Sequence, residues 1–415
     1  MPFKAQLLTK IRRQFTHVDT CPFQGPRVFF ENAGGALTLA SVVETSAEYA
    51  AIPDNQGRDN PASKALMEAI AQARQDARCL FNAPTGEILL GESGTELLFR
   101  LIRNACTATA DGSVIGSSVE HPASRSAATH WAAQTGKPYI DVPHDGASGN
   151  VTADAYREKV RPDTRVATIL HCSPVTGVSS DIAAISAAIR SVAPDCLIIV
   201  DGIQFAAHGA IDVSGAGIDG YVISPYKVFS RHGYGLAWAS DRLTALPHER
   251  LTGSPENAWE FGTRDNGAYA TFSRVVEYLD WLGGEVSEST DRRTRIEAAT
   301  AAIQAQEHDL CELMLHGEGS LAGLTDLPGI QVLAGVGNLG RKGLVCFWKE
   351  GMASAEIVAL LNENGVRTHV RKNDHYSGNI LGPLGQPDCV RVSVCHYNSR
   401  AEVKRMLNPL QTLYK

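Results

Sequence analysis

Between about residues 64 and 240 the chain alternates short apolar runs with amphipathic stretches, and this alternation limits the fold more than any other feature. Buried strands separated by one-sided helices are the signature of a doubly wound α/β domain. Glu87 to Gly91, Ser113 to Val119, Arg165 to His171, Cys196 to Val200, Gly220 to Ser224 and Gly235 to Ala239 read as strands of a mostly parallel sheet. Ala65 to Asn82 carries Leu66, Ile70, Ala73, Ala77 and Leu80 at steps of three and four, so it reads as a helix lying on that sheet.

Past residue 265 the pattern changes. Long helical segments are expected over Ala268 to Leu282 and Asp291 to Met314, then strands over Gly343 to Trp348, Val366 to Val370 and Cys389 to Cys395. Ser399 with Glu402 forms a capping-box signal for a last helix. A separate, smaller α+β domain follows. Gly335 to Gly340 fits GxGxxG, but it lies between two candidate strands and opens no helix, so it reads as a turn and not as a dinucleotide site.

Composition removes several function classes. A net charge of -7 gives no general attraction to nucleic acid or anionic membrane. No apolar stretch approaches the roughly 18 to 20 residues needed to span a bilayer, and no secretory apolar core opens the chain. Met1 to Phe15, basic and mildly amphipathic, reads as a short surface helix. The nine cysteines show no CxxC spacing and mostly sit in apolar runs, which suggests a reducing, cytoplasmic setting and no metal site.

The chemistry begins at Asp201, which closes the run Cys196-Leu197-Ile198-Ile199-Val200, and Lys227, in the loop after the next strand. An acid at a strand end keeps a pyridine nitrogen protonated, and a lysine amine condenses with an aldehyde; together they are what pyridoxal phosphate requires. Gly94 and Thr95, in Ser93-Gly94-Thr95-Glu96, open a helical run whose free backbone N–H groups and hydroxyl suit a phosphate. His121 ends another strand, where its ring can lie on the cofactor and exchange protons with substrate. Gln204 is placed for the ring hydroxyl, Ser224 for the phosphate, and Tyr226 flanks the lysine. Each has a bland alternative, an N-cap, a bonded strand-end histidine or a surface lysine; the constellation outweighs them together.

In this order the motifs resemble the class V aminotransferase fold, in its cysteine desulfurase-like branch, from about Val28 to Leu407. Phe29 to Gly35 is similar to that family's opening turn, Asn60-Pro61-Ala62-Ser63 to its next segment, and Phe261-Gly262-Thr263 to a Gly-Thr that reaches a neighbouring subunit's phosphate. The resemblance implies a fold type I enzyme: a large domain (31–265) with a mostly parallel seven-stranded sheet, a small α+β C-terminal domain (266–415), and an N-terminal segment (1–30) packed with the small domain. It also implies a homodimer with shared active sites. Lys227 and His121 would be catalytic, with Gly94, Thr95, Asp201, Gln204, Ser224, Tyr226 and Thr263 around the cofactor. Arg391 would clamp an amino acid's carboxylate, assisted by Asn32 and His375.

Departures narrow the outcome. The stretch Thr368 to Asn379 contains no cysteine, although desulfurases carry a nucleophilic cysteine there, and Pro174 stands where asparagine is usual. Persulfide relay by that route is not expected, and Cys389 or Cys395 reads as packing. His369, Arg371, Lys372 and Asp374 individually read as a solvated loop, although polar residues there suit a substrate larger than cysteine. The expectation is a carbon–sulfur, β-elimination lyase. Epimerisation or racemisation, transamination, and a non-catalytic regulator on the same fold remain the alternatives.

Overall fold

The computed structural model describes residues 2–338 and 340–414. Its large sheet has seven strands: Glu87–Gly91 (β1), Ser113–Ser117 (β2), Tyr139–Val142 (β3), Thr164–Leu170 (β4), Leu197–Asp201 (β5), Gly220–Ile223 (β6) and Gly235–Ala239 (β7). They lie in the order β1-β7-β6-β5-β4-β2-β3, and β7 alone runs antiparallel to its neighbours. The strand missed by sequence reasoning is β3; its half-buried tyrosine and exposed aspartate, at a sheet edge, break the apolar run that marks the others.

Strand alternation sends side chains to two covered faces. On one, Leu89, Val114, Val166, Ile199, Val222 and Ala237 meet the helices Gly94–Ala108 and Pro122–Gln134. On the other, Ile88, Leu90, Ile115, Ile198, Val200 and Ile223 meet the helices Pro61–Phe81, Ile182–Val192 and Asn266–Val286. The helix expected from Ala65 begins earlier, at Pro61, because Asn60 accepts a hydrogen bond from the Ser63 N–H at 2.8 Å and proline suits the first helical position. It ends where Asn82 turns left-handed, at φ 52°.

A four-stranded antiparallel sheet follows, with Ile330–Val332 (β8), Leu344–Lys349 (β9), His369–Lys372 (β10) and Asp388–Ser393 (β11) in the order β8-β9-β11-β10. Val345, Phe347, Val390 and Val392 face Leu310 and Met314 of the long helix Arg292–His316 and Val403 and Leu407 of the helix Arg400–Leu410. The Ser399–Glu402 capping box is formed in both directions, at 3.3 and 2.6 Å. The N-terminal segment is divided between the cores: Ile11, Phe15 and Val18 pack in the cluster under the large sheet, and Val28 and Phe30 in this second one. Val28–Phe29 pairs in parallel with Val366–Arg367, Phe30 packs within the cluster, and Phe3 donates its N–H to Gln306.

The single strand expected over Val366 to Val370 is two short ones, because Val366 and Arg367 pair with the N-terminal segment while His369 onward pairs with β11. The GxGxxG stretch joins the paired strands β8 and β9 and opens no helix; its Leu339 lies outside the described residues.

Candidate active site

Strand β5 delivers Asp201 to the C-terminal edge of the sheet, where it is 2% exposed. Its Oδ1 accepts the Ile203 N–H at 3.1 Å, while Oδ2 is buried and has no partner among the described residues. Burial pushes the carboxyl up to about 6. An orphaned, enclosed carboxylate oxygen is costly unless a cation or N–H donor meets it. A protonated pyridine nitrogen supplies such a donor.

Strand β6 leads through Ser224 into one 3-10 turn, Pro225–Lys227. Lys227 Nζ donates to Gln204 Oε1 at 3.2 Å. Burial, followed by the repulsion of Arg391, lowers its amine to about 8 despite the opposing pull of Asp201. A lysine near neutrality has the free electron pair that addition to an aldehyde needs.

Gly94 and Thr95 open the helix Gly94–Ala108 beneath this group, with Ser93 as N-cap accepting from the Glu96 N–H at 3.1 Å. A Cβ on Gly94 would stand 2.4 Å from Ser224 Oγ and 2.7 Å from Ile203 Cδ1, so only glycine lets the turn sit against Ser224. Thr95, Asp201, Gln204, Ser224, Tyr226, Lys227 and His121 all line one inner cavity of about 50 Å³. An outer cavity of about 450 Å³ adjoins it through His121, Pro174 and Lys227. The donors, the unpaired acid and the enclosed amine fit pyridoxal phosphate.

His121 caps the helix Pro122–Gln134, its Nδ1 accepting from the Ala123 N–H at 3.2 Å. Burial, then Lys227 and Arg371, hold the imidazole down to about 4, so near neutrality it is uncharged and able to accept a proton. Behind it Glu120 is buried, taking hydrogen bonds from Ser117 and Ser124, and burial raises it to about 7. Asn379 donates to the Ser118 carbonyl at 2.6 Å, tying the segment after β10 to the His121 turn.

Arg391 reaches the outer cavity from β11. It is 4% exposed, donates to the Pro174 carbonyl at 3.2 Å, and leaves Nε without a partner among the described residues. Beside it lies a group that sequence reasoning placed in solvent. His369 and Arg371 belong to β10, paired with Arg391 and Cys389 respectively, so strand alternation turns them to the same face as Arg391 and into the cavity. Arg371 donates through Nε to Ser377 Oγ at 2.9 Å, lies 5.7 Å from the Tyr376 ring and forms no ion pair among the described residues. Lys372 and Asp374 are exposed, as expected.

Three expected site residues stand apart from both cavities. Asn32 is buried but its side chain is already committed, donating to the Ser393 carbonyl at 2.8 Å and accepting from Tyr397. His375 is exposed and packs on Tyr376, which itself lines the outer cavity. Thr263 is exposed in a loop, next to Arg264, whose guanidinium pairs with Glu92 just ahead of the Gly94 turn. None of the nine cysteines lines either cavity among the described residues.

Known proteins resemble this chain over nearly its whole length. The aminotransferase class-V family model matches residues 28–406. An aminotransferase-like protein, FGM3, of Gibberella zeae is 27% identical, covering 97% of this chain and 98% of its own. A probable cysteine desulfurase of Vibrio cholerae is 23% identical over 96% of each chain. The solved cysteine desulfurase of Thermococcus onnurineus superposes with a TM-score of 0.80 at 19% identity, over 93% of this chain and 94% of that one.

Proposed function

We propose that this chain, which belongs to the class-V aminotransferase family of pyridoxal phosphate enzymes, is a carbon–sulfur, β-elimination lyase acting on an amino acid. The cofactor, when bound, withdraws electrons from the substrate's Cα. Lys227 would hold it at Nζ, Asp201 Oδ2 would meet the pyridine N–H, and the Gly94–Thr95 turn with Ser224 would take its phosphate. Arg391 would bind the substrate carboxylate, its buried guanidinium oriented by the Pro174 carbonyl. The freed Lys227 Nζ would take the Cα proton, with the uncharged His121 ring as a second acceptor over the same cavity.

One observation carries the choice of a lyase over a persulfide relay. The β10 segment brings Arg371 and Tyr376 to the outer cavity, and no cysteine lines it among the described residues. The sulfur, or another leaving group on Cβ, would therefore depart into the cavity instead of passing to a protein thiol. Arg371, with no acid partner among the described residues, stands beside the clamp on the same face and favours substrates whose side chain carries negative charge.

The exposed Thr263 suits the further proposal that each site is completed by a second copy of the chain. The reaction is tested by incubating the holoenzyme with a panel of amino acids. Pyruvate with sulfide or another released Cβ group is the expected outcome. Solvent deuterium at Cα of recovered, inverted substrate would instead mark an epimerase, and accumulation of pyridoxamine phosphate a transaminase. Activity surviving Lys227→Ala would overturn the assignment.

A further inference from the structure

Behind the lysine a line of hydrogen bonds runs away from the cavity into the protein. Gln204 Oε1 accepts from Lys227 Nζ at 3.2 Å; Gln204 Nε2 lies 3.4 Å from His208 Nε2; His208 Nδ1 lies 2.8 Å from Glu307 Oε2 on the helix Arg292–His316. Gln204, His208 and Glu307 are 5%, 4% and 2% exposed, so the bonds between them are shielded from bulk solvent. Glu307 falls on the buried stripe between Ile303 and Leu310, and its Oε1 has no partner among the described residues. His396 feels the charge of His208, Cys172, Cys311, Cys395 and Tyr397 feel that of Glu307, and Lys227 lies beyond the amide.

The two ends of a primary amide have the same shape, so its neighbours decide which way it points. An ionised Glu307 only accepts, which puts a proton on His208 Nδ1. With Nε2 bare, the ring accepts from the Gln204 NH2 group and the amide oxygen faces Lys227, as found here. With Nε2 also protonated, the ring donates, the amide turns over, and Gln204 presents its NH2 group to the cavity. The first arrangement satisfies an amine; the second satisfies an anionic ring oxygen.

We propose that the buried His208–Glu307 pair is a positioning device that sets which end of the Gln204 amide faces the cofactor. His208 and Glu307 touch neither cofactor nor substrate and act through Gln204. The inference rests on the fit of pyridoxal phosphate to the inner cavity and is independent of which reaction follows.

The direct test reads the ring nitrogens of His208 by NMR in protein labelled with nitrogen-15 histidine, its signals assigned by their loss in His208→Gln. The expected result is a neutral ring protonated on Nδ1 in cofactor-free protein, becoming protonated on both nitrogens when pyridoxal phosphate is added. An unchanged ring, or one protonated on Nε2 alone, would overturn the proposal, and this holds even if the enzyme proves to be an epimerase. In parallel, Glu307→Gln should weaken binding of pyridoxal phosphate, followed by quenching of tryptophan fluorescence, by about tenfold, the scale of one hydrogen bond to a charged group. It should also move the pH midpoint of the bound cofactor's absorption band, and Glu307→Asp should restore part of both. A folded Glu307→Gln protein with unaltered affinity and midpoint would reduce the pair to a structural contact.

Discussion

Asp201 shows what an enclosed carboxyl with an unpartnered oxygen costs the fold. Its carboxyl lies at about 6, above the ordinary 3.8, so the cofactor-free folded state holds a proton that the unfolded chain has released. Stability is therefore lost as pH rises from about 4 to 6, and the full cost, about 3 kcal/mol, persists at pH 7. Asp201→Asn should raise the thermal midpoint of cofactor-free protein at pH 7, make little difference at pH 4, and weaken cofactor binding at both. Calorimetry at the two pH values checks the first part, and equal effects at both would refute the assignment of the cost to charge. Lys227 has the opposite sense: its amine, lowered to about 8, becomes neutral above that pH, so capture of pyridoxal phosphate should accelerate with pH and level off there. Arg371→Gln should weaken binding of amino acids with an acidic side chain by about tenfold or more while sparing neutral ones, as loss of a charge-assisted hydrogen bond requires. Isothermal titration of both classes decides it; equal losses would place Arg371 in a purely structural role.

At the scale of elements, the site is made by where strands and helices stop. The C-terminal ends of β2, β5 and β6 lead into His121, Asp201 and Lys227, and the N-terminus of the helix Gly94–Ala108 meets them from below. These placements were legible because each motif lies at the edge of an apolar run or at a cap. The β10 segment was legible only in part. A strand was expected over Val366 to Val370, short of Arg371 and Lys372, and only the pairing of His369–Lys372 with β11, His369 against Arg391 and Arg371 against Cys389, reveals which side chains face inward. Glu307 carried a faint signal, a charge on the i, i+4 stripe of a long helix, but nothing local tells that His208 lies across from it. The caps also make a prediction independent of chemistry. Ser399→Ala removes one half of the capping box of the helix Arg400–Leu410 and should cost about 1 kcal/mol, seen as a lower thermal midpoint with cofactor affinity unchanged.

Over the whole molecule, the long helix Arg292–His316 carries both Ile303, part of the core under the large sheet, and Leu310 and Met314, part of the core under the small one. Through Glu307 that same helix joins the line of bonds ending at Lys227. If two copies share their sites through Thr263, mixing Lys227→Ala protein with Thr263→Ala protein should restore activity that neither has alone, because one site of each mixed dimer is then intact. Exchange of subunits without recovery would exclude that sharing.

The sequence by itself determined the layered fold and the cofactor, since both rest on short-range regularities: apolar runs of strand length, helical steps of three and four, an acid at a strand end and a lysine one strand later. Only the tertiary structure decided how the cavity is walled. Arg371 meets Arg391 through sheet register, and His208 meets Glu307 across 99 residues of chain. Such pairings depend on how separate elements dock, and a periodicity read along the chain contains no information about the face across which two distant residues meet.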